Sequence, residues 1–311
     1  MASPAPQSWR PTTLIEASRL GRLLGLNLLL ASETFQHTGS FKFRAACHLA
    51  RRVSNPLIIA ASSGNFGQAL AYACSLVGKR AIIVMPETSA KVKVDAVREY
   101  GGEVEFVDVR SKSRAGRVQE LAQEHPEARV ASAYDDPLVI EGNSSLGEEL
   151  GHLAAHKPLD CVVAPVGGGG LTSGIVTGLR RTGRAGQAIE VIGAEPALGN
   201  DAARSLLEGR IVANDTEPQT IADGARTLSL GRHNWTILKN GLRGIVEVSE
   251  ERITQAVRLL FEFANLKAEP TGALSVGAVA AEPGRFQDRR VCCVISGGNV
   301  DAAVYEQILR G

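Results

Sequence analysis

The sequence predicts an α/β protein of two doubly wound domains, the smaller inserted in the larger. Three observations predict it. Short apolar runs alternate with helical patterns along most of the chain, as in βαβ units. Those runs are apolar on both sides of the pleat, which suits strands of a parallel sheet covered on both faces. The chain, at 311 residues, also exceeds one average domain.

The elements follow in order. The run 57–61 precedes a helical stretch, 68–76, that stops near Gly78. The run 81–85 precedes Pro86 and a charged amphipathic segment, 91–100. Further strand runs fall at 104–109, 161–166, 189–194 and 291–295. No linker, repeat or low-complexity stretch divides the chain. The unit 57–134 reads as a self-contained small domain, and 1–56 with 135–311 as the large one.

Composition narrows the function. Apolar residues make up 44% and charged residues 22%, the balance of an ordinary globular protein. A net charge of +1 offers no footprint for nucleic acid or an anionic membrane. The first ten residues have prolines and no apolar core, so no secretory signal is expected, and the apolar stretch 23–31 is too short to span a bilayer. Cys47, Cys74, Cys161, Cys292 and Cys293 show no C-x-x-C spacing and read as buried reduced thiols of a cytoplasmic protein. The vicinal pair Cys292-Cys293 also admits a redox switch, but buried cysteine usually behaves as a small hydrophobe.

Ligands of open α/β sheets bind beyond the C-terminal strand ends, and four such segments stand out here. They are Thr38-Gly-Ser-Phe-Lys42, Ser62-Ser-Gly-Asn-Phe-Gly67, Gly167 to Gly170, and Ser296-Gly-Gly-Asn299. Gly167, Gly168, Gly169 and Gly170 follow a buried strand and open a helix, so their N–H groups can converge on a phosphate. A flexible turn is the alternative. Neither a P-loop nor a dinucleotide fingerprint fits, because no Lys-Ser or Lys-Thr pair follows and the third glycine is missing.

Lys42 lies between Phe41 and Phe43. An apolar setting favours the neutral amine that a Schiff base needs, although a lysine taken alone is more often solvated. Ser62, Ser63, Gly64 and Asn65 form a nest suited to a substrate carboxylate, or a plain N-cap. No G-x-S-x-G elbow supports a hydrolase. His152 and His156 lack the glutamate of H-E-x-x-H and read as solvated.

Together, in this order, the four segments resemble the fold-type II pyridoxal-phosphate enzymes, the serine racemase and threonine dehydratase group in particular, from about Thr12 to the C-terminus. The resemblance implies a tryptophan synthase β-like fold, a homodimer, an amino-acid substrate and bound pyridoxal 5'-phosphate. It makes Lys42 the lysine that holds the cofactor covalently and takes the α-proton. The phosphate goes to Gly167–Gly170, with Leu171, and Phe41 and Gly224 join the cofactor site. Asn65 meets the cofactor hydroxyl and Ser296 the pyridine nitrogen. The loop Ser62, Ser63, Gly64, Asn65 and Phe66 receives the substrate. A serine at the pyridine nitrogen leaves the ring a weaker electron sink, which favours prompt loss of a β-leaving group. The implied reaction is dehydration and deamination of a β-hydroxy amino acid to a keto acid and ammonia.

Ser63 stands where serine racemase-like enzymes carry the acid/base opposite the lysine and many threonine dehydratases have alanine. It therefore admits racemisation, or only a carboxylate contact, since a hydroxyl is a poor base unless tuned. Glu195 and Asp201, with the carbonyl of Gly199, match a structural divalent-ion site and offer hard oxygens for Mg²⁺ or Ca²⁺. A helix start with acidic residues near its dipole is the alternative.

The departures surround the pocket. Phe66 replaces a common histidine, 141–146 replaces Gly-Gln-Gly-Thr, and Ala31 replaces a lysine. Substrate identity stays open among serine, threonine, 3-hydroxyaspartate and 3-phenylserine. Racemisation, β-replacement and non-catalytic cofactor carriage are the competing readings. The sequence ends soon after Asn299, so no appended regulatory domain is expected.

Overall fold

The computed structural model describes residues 9–311, so Met1 to Ser8, part of the stretch read as lacking a signal, lie outside the described residues. Among the described residues, ten strands form two sheets: β1 (Thr13–Glu16), β2 (Asn27–Ser32), β3 (Leu57–Ala61), β4 (Arg80–Pro86), β5 (Glu103–Val107), β6 (Arg129–Ala131), β7 (Cys161–Pro165), β8 (Glu190–Pro196), β9 (Gly244–Val248) and β10 (Arg290–Ile295). The larger sheet runs β1-β2-β10-β7-β8-β9 and the smaller β5-β4-β3-β6. Every pairing is parallel except β1 with β2. This is the α/β architecture of two parallel sheets that the apolar runs predict.

Burial follows position. Every residue of the interior strand β7 is buried, and in β10 all but Arg290. The edge strand β1 alternates half-buried and exposed, and only Val107 of the edge strand β5 is buried. β1, β6 and β9 have no continuous apolar run to betray them. β2 lies largely inside the stretch 23–31, whose apolar character is that of an interior strand paired with β10 in register.

The helix Lys42–Arg52 precedes β3 yet shares its core with the small sheet: Phe43, Ala46 and Leu49 join one cluster with Ile58, Phe66 and Leu70. Its other attachment is ionic. Arg44 is wholly buried and donates to Glu33 at 2.7 and 2.9 Å and to Glu149 at 2.7 Å. Glu33 follows β2, and Glu149 lies on the helix Pro137–Ala154. Removing Arg44 would strand the buried Glu33 carboxylate, a loss of about 3–5 kcal/mol. Lys42 is thus held two residues from a fixed point.

All five cysteines are free and buried, and burial pushes their thiols up. Among the described residues, no helix is long and apolar enough to cross a membrane.

Candidate active site

The four segments follow the C-terminal ends of β2, β3, β7 and β10 and are tied to one another. Phe41 N–H donates to the Ser296 carbonyl at 3.0 Å, and Gly298 N–H to the Gly39 carbonyl at 2.9 Å. Asn299 Nδ2 donates to Asn65 Oδ1 at 2.8 Å and to the Thr38 carbonyl at 2.7 Å. The glycine segment joins through residues 133 and 134. Lys42 Nζ donates to the Ala133 carbonyl at 2.7 Å, and the Tyr134 ring packs so close to Gly168 that a Cβ there would sit 2.2 Å from it.

Lys42 begins its helix, with Nζ 5.0 Å from the centroid of Phe41 and 5.8 Å from that of Phe66. The residue as a whole is half-buried, but its amine end is enclosed. Desolvation lowers its pKa to about 8, against a smaller opposing pull from Glu269. A substantial fraction is therefore the neutral nucleophile near pH 8.

The glycine segment is a preorganised anion cradle. Gly169 has φ +93°, which side-chain-bearing residues rarely adopt, and it caps the helix Gly170–Arg181. N–H groups in the first turn of a helix lack intrahelical acceptors and carry the positive end of its dipole. Neighbours fix the loop: Asn234 Nδ2 donates to the Gly168 carbonyl at 2.7 Å, and Asn143 Nδ2 to the Gly170 carbonyl at 3.1 Å. Leu171 is buried in that helix, and Gly224 is exposed, its N–H donating to Thr271 Oγ1 at 2.9 Å. Gly224 and Ala225 lie against Gly167.

Between β3 and the helix Asn65–Leu76, Ser62 Oγ accepts from Gly64 N–H at 3.3 Å and from Gly67 N–H at 3.0 Å. It closes the turn. Ser63 is half-buried and its hydroxyl has no hydrogen bond among the described residues, while Gly64 is exposed. Phe66 is buried, 1% exposed, in the core beneath Lys42. Ser296 is buried at the end of β10. Ser144 and Arg226, which could have faced a substrate, donate to the carbonyls of Glu141 and Thr220.

Glu269 escaped the sequence reading. It is buried, and Asn65 Nδ2 donates to its carboxyl at 2.8 and 3.1 Å. Its only sequence signal is the Glu-Pro pair of a helix start, the helix Pro270–Ala281. Tyr134 and Asn234 were missed as well, because their roles are contacts across 34 and 66 residues.

Glu195 and Asp201 are both buried. Glu195 accepts from Ala202 and Ala203 N–H at 2.9 and 3.0 Å, so it also caps the helix Asp201–Glu208. Asp201 Oδ1 accepts from Asn214 at 2.9 Å, and its Oδ2 is buried without a partner. Burial and the nearby Asp201 push Glu195 well up, and burial raises Asp201 to about 6. Among the described residues, no group of three or more His, Cys, Asp or Glu side chains forms a metal cluster.

An enclosed, partly neutral lysine, joined through Ala133 and Tyr134 to a glycine cradle at a helix start, fits a phosphorylated aldehyde. A family profile described as pyridoxal-phosphate dependent enzyme matches residues 6–297. The chain belongs to the fold-type II pyridoxal-phosphate enzymes. Within this family it is 36% identical to the L-threo-3-hydroxyaspartate ammonia-lyase of Pseudomonas sp. over 96% of this chain and 93% of that protein. It is 33% identical to the serine racemase of Rattus norvegicus over 93% of this chain and 88% of that one. A solved T.th. threonine deaminase superposes with a TM-score of 0.88 at 40% identity, covering 94% of each chain. The fold is the tryptophan synthase β-like one, and these relatives span both elimination and racemisation.

Proposed function

We propose that this chain removes water and ammonia from a β-hydroxy amino acid, with Lys42 as cofactor lysine and proton acceptor. The observation that carries the reading is the enclosed Lys42 amine, lowered to about 8 by burial, set between the Phe41 and Phe66 rings and bonded to the Ala133 carbonyl. Relatives named for ammonia release from hydroxyaspartate and for deamination of threonine support it. Pyridoxal phosphate, when bound, supplies an electron sink for the bond broken at Cα.

The protein supplies the rest. Gly167 to Gly170 and Leu171 would hold the phosphate by N–H groups, Phe41 and Gly224 would line the cofactor site, and Asn65 and Ser296 would bond the cofactor hydroxyl and the pyridine nitrogen. The N–H groups of Ser63, Gly64 and Asn65 bind the substrate carboxylate, and Lys42 Nζ takes the α-proton. Loss of the β-hydroxyl as water, then hydrolysis, yields one keto acid and one ammonia per substrate.

A second reading, racemisation, rests on Ser63. Its hydroxyl is free to give or take a proton, and racemases are among the relatives. Mg²⁺ or Ca²⁺ at Glu195, Gly199 and Asp201 is part of this proposal, supported by the unpartnered Asp201 Oδ2, and so is a cytoplasmic homodimer.

The test is a panel of hydroxy amino acids, of both configurations at Cα, scored for keto acid, ammonia and inverted substrate. Keto acid and ammonia in equal amounts, abolished with the yellow colour in Lys42→Ala, are expected. Inverted substrate without ammonia would make the chain a racemase; bound cofactor with neither product would make it a carrier. Full turnover in Lys42→Ala would remove Lys42 from the reaction.

A further inference from the structure

Glu269 is a carboxyl that the proposed chemistry does not use, and it lies inside the site. It opens the helix Pro270–Ala281, where the dipole favours an anion, but burial outweighs that preference. Its N–H donates to the Gly297 carbonyl at 3.1 Å, and a Cβ on Gly297 would sit 2.6 Å from Oε1, so the carboxyl lies against the backbone beside Ser296. Asn65 gives both of its carboxyl oxygens a hydrogen bond, while Asn299 holds the other end of that carboxamide. The direction in which Asn65 presents its amide is thus set by Glu269 on one side and Asn299 on the other.

We propose that Glu269 is a positioning residue: it fixes the Asn65 carboxamide and, as a buried carboxyl within the same site, biases the charge held at Lys42. The inference rests on Lys42 being the cofactor lysine.

The groups around Glu269 give the signs. Burial, and then Asp223, raise its pKa to about 8; the Asn65 amide, Lys93 and the Asn299 N–H pull the other way. Lys93 is itself paired with Asp223 at 2.9 Å. The Glu269 carboxylate in turn favours the ammonium form of Lys42, whose pKa is also about 8. The two side chains therefore exchange their proton balance in one pH range. Below it Glu269 is neutral and Lys42 charged; through it the carboxylate forms and delays loss of the lysine proton.

The experiment follows covalent uptake of pyridoxal phosphate by cofactor-stripped protein as a function of pH, read as absorbance of the bound cofactor. In Glu269→Gln the midpoint of uptake should fall by about one pH unit or more, since the carboxylate that held the lysine proton is gone. Asp223→Asn, on an exposed turn, should move it the other way, because Glu269 then ionises earlier; this arm decides the matter should Glu269→Gln not fold. Glu269→Asp should restore a midpoint near that of the parent. A midpoint unmoved in Glu269→Gln, or in Asp223→Asn where the glutamine variant does not fold, overturns the inference while leaving the role of Lys42 standing. Absence of covalent uptake in the parent protein would instead remove the cofactor-lysine reading itself, and this inference with it.

Discussion

Phe66 brings an aromatic wall to within reach of the Lys42 amine, its centroid 5.8 Å away. Buried on the core side of the helix Asn65–Leu76, it cannot donate a hydrogen bond to a carboxylate on a substrate side chain. It can pack against a methyl or an aromatic ring, with about 0.5–1.5 kcal/mol extra for an aromatic pair. Threonine or 3-phenylserine should therefore show higher kcat/KM than 3-hydroxyaspartate. Phe66→His should move that ratio toward the acidic substrate by roughly tenfold, the worth of one hydrogen bond to a charged group. A parent enzyme that strongly prefers 3-hydroxyaspartate, with a ratio unmoved by Phe66→His, would remove Phe66 from specificity. Lys42 and Asn65 could be read from the chain because each sits in a short local motif. Glu269 could not, because its partner Asn65 is 204 residues away and only folding brings them together.

At the scale of elements, the cradle is legible and its support is not. Four glycines between an apolar run and a helical pattern mark the turn after β7, but Tyr134 and Asn234, which hold it, come from loops and a short helix without periodic signals. The same physics explains the strands. Interior strands such as β7 and β10 are apolar throughout, whereas β1 and β6, at sheet edges, need little apolar surface. Gly168→Ala tests the cradle directly. Its Cβ would meet three atoms of the Tyr134 ring at 2.2 to 2.5 Å, so the loop or the ring must move. Overpacking of this kind costs about 1–3 kcal/mol. Cofactor affinity should fall and the far-ultraviolet circular dichroism stay unchanged. Parent-like affinity, measured by equilibrium dialysis, would mean that the loop does not grip the phosphate.

Across the whole molecule, the site is assembled from two cores. Lys42 and Asn65 begin helices packed on the small sheet, whereas Gly167 to Gly170 and Ser296 follow strands of the large one. The ion pairs Lys93–Asp223 and Arg114–Glu217 join small-sheet helices to the segment 209–231, which also passes Asn214 beside Asp201 and Gly224 beside Gly167. A cation on the Glu195–Asp201 pair would thus fasten one end of a segment whose other end borders the cofactor cradle. A ligand held at a hundredfold excess over its Kd stabilises the folded state by about 2.7 kcal/mol, and each kcal/mol is worth about 2 °C in a chain of this size. Chelation should therefore lower the melting temperature by several degrees and weaken cofactor retention, with Mg²⁺ or Ca²⁺ restoring both. Asp201→Asn, which replaces the unpartnered Oδ2 with an amide, should abolish that response. Identical melting of the parent protein with and without chelator would leave Glu195 and Asp201 as the start of a helix, with the Ala202 and Ala203 N–H groups bonded to Glu195 and Asn214 bonded to Asp201.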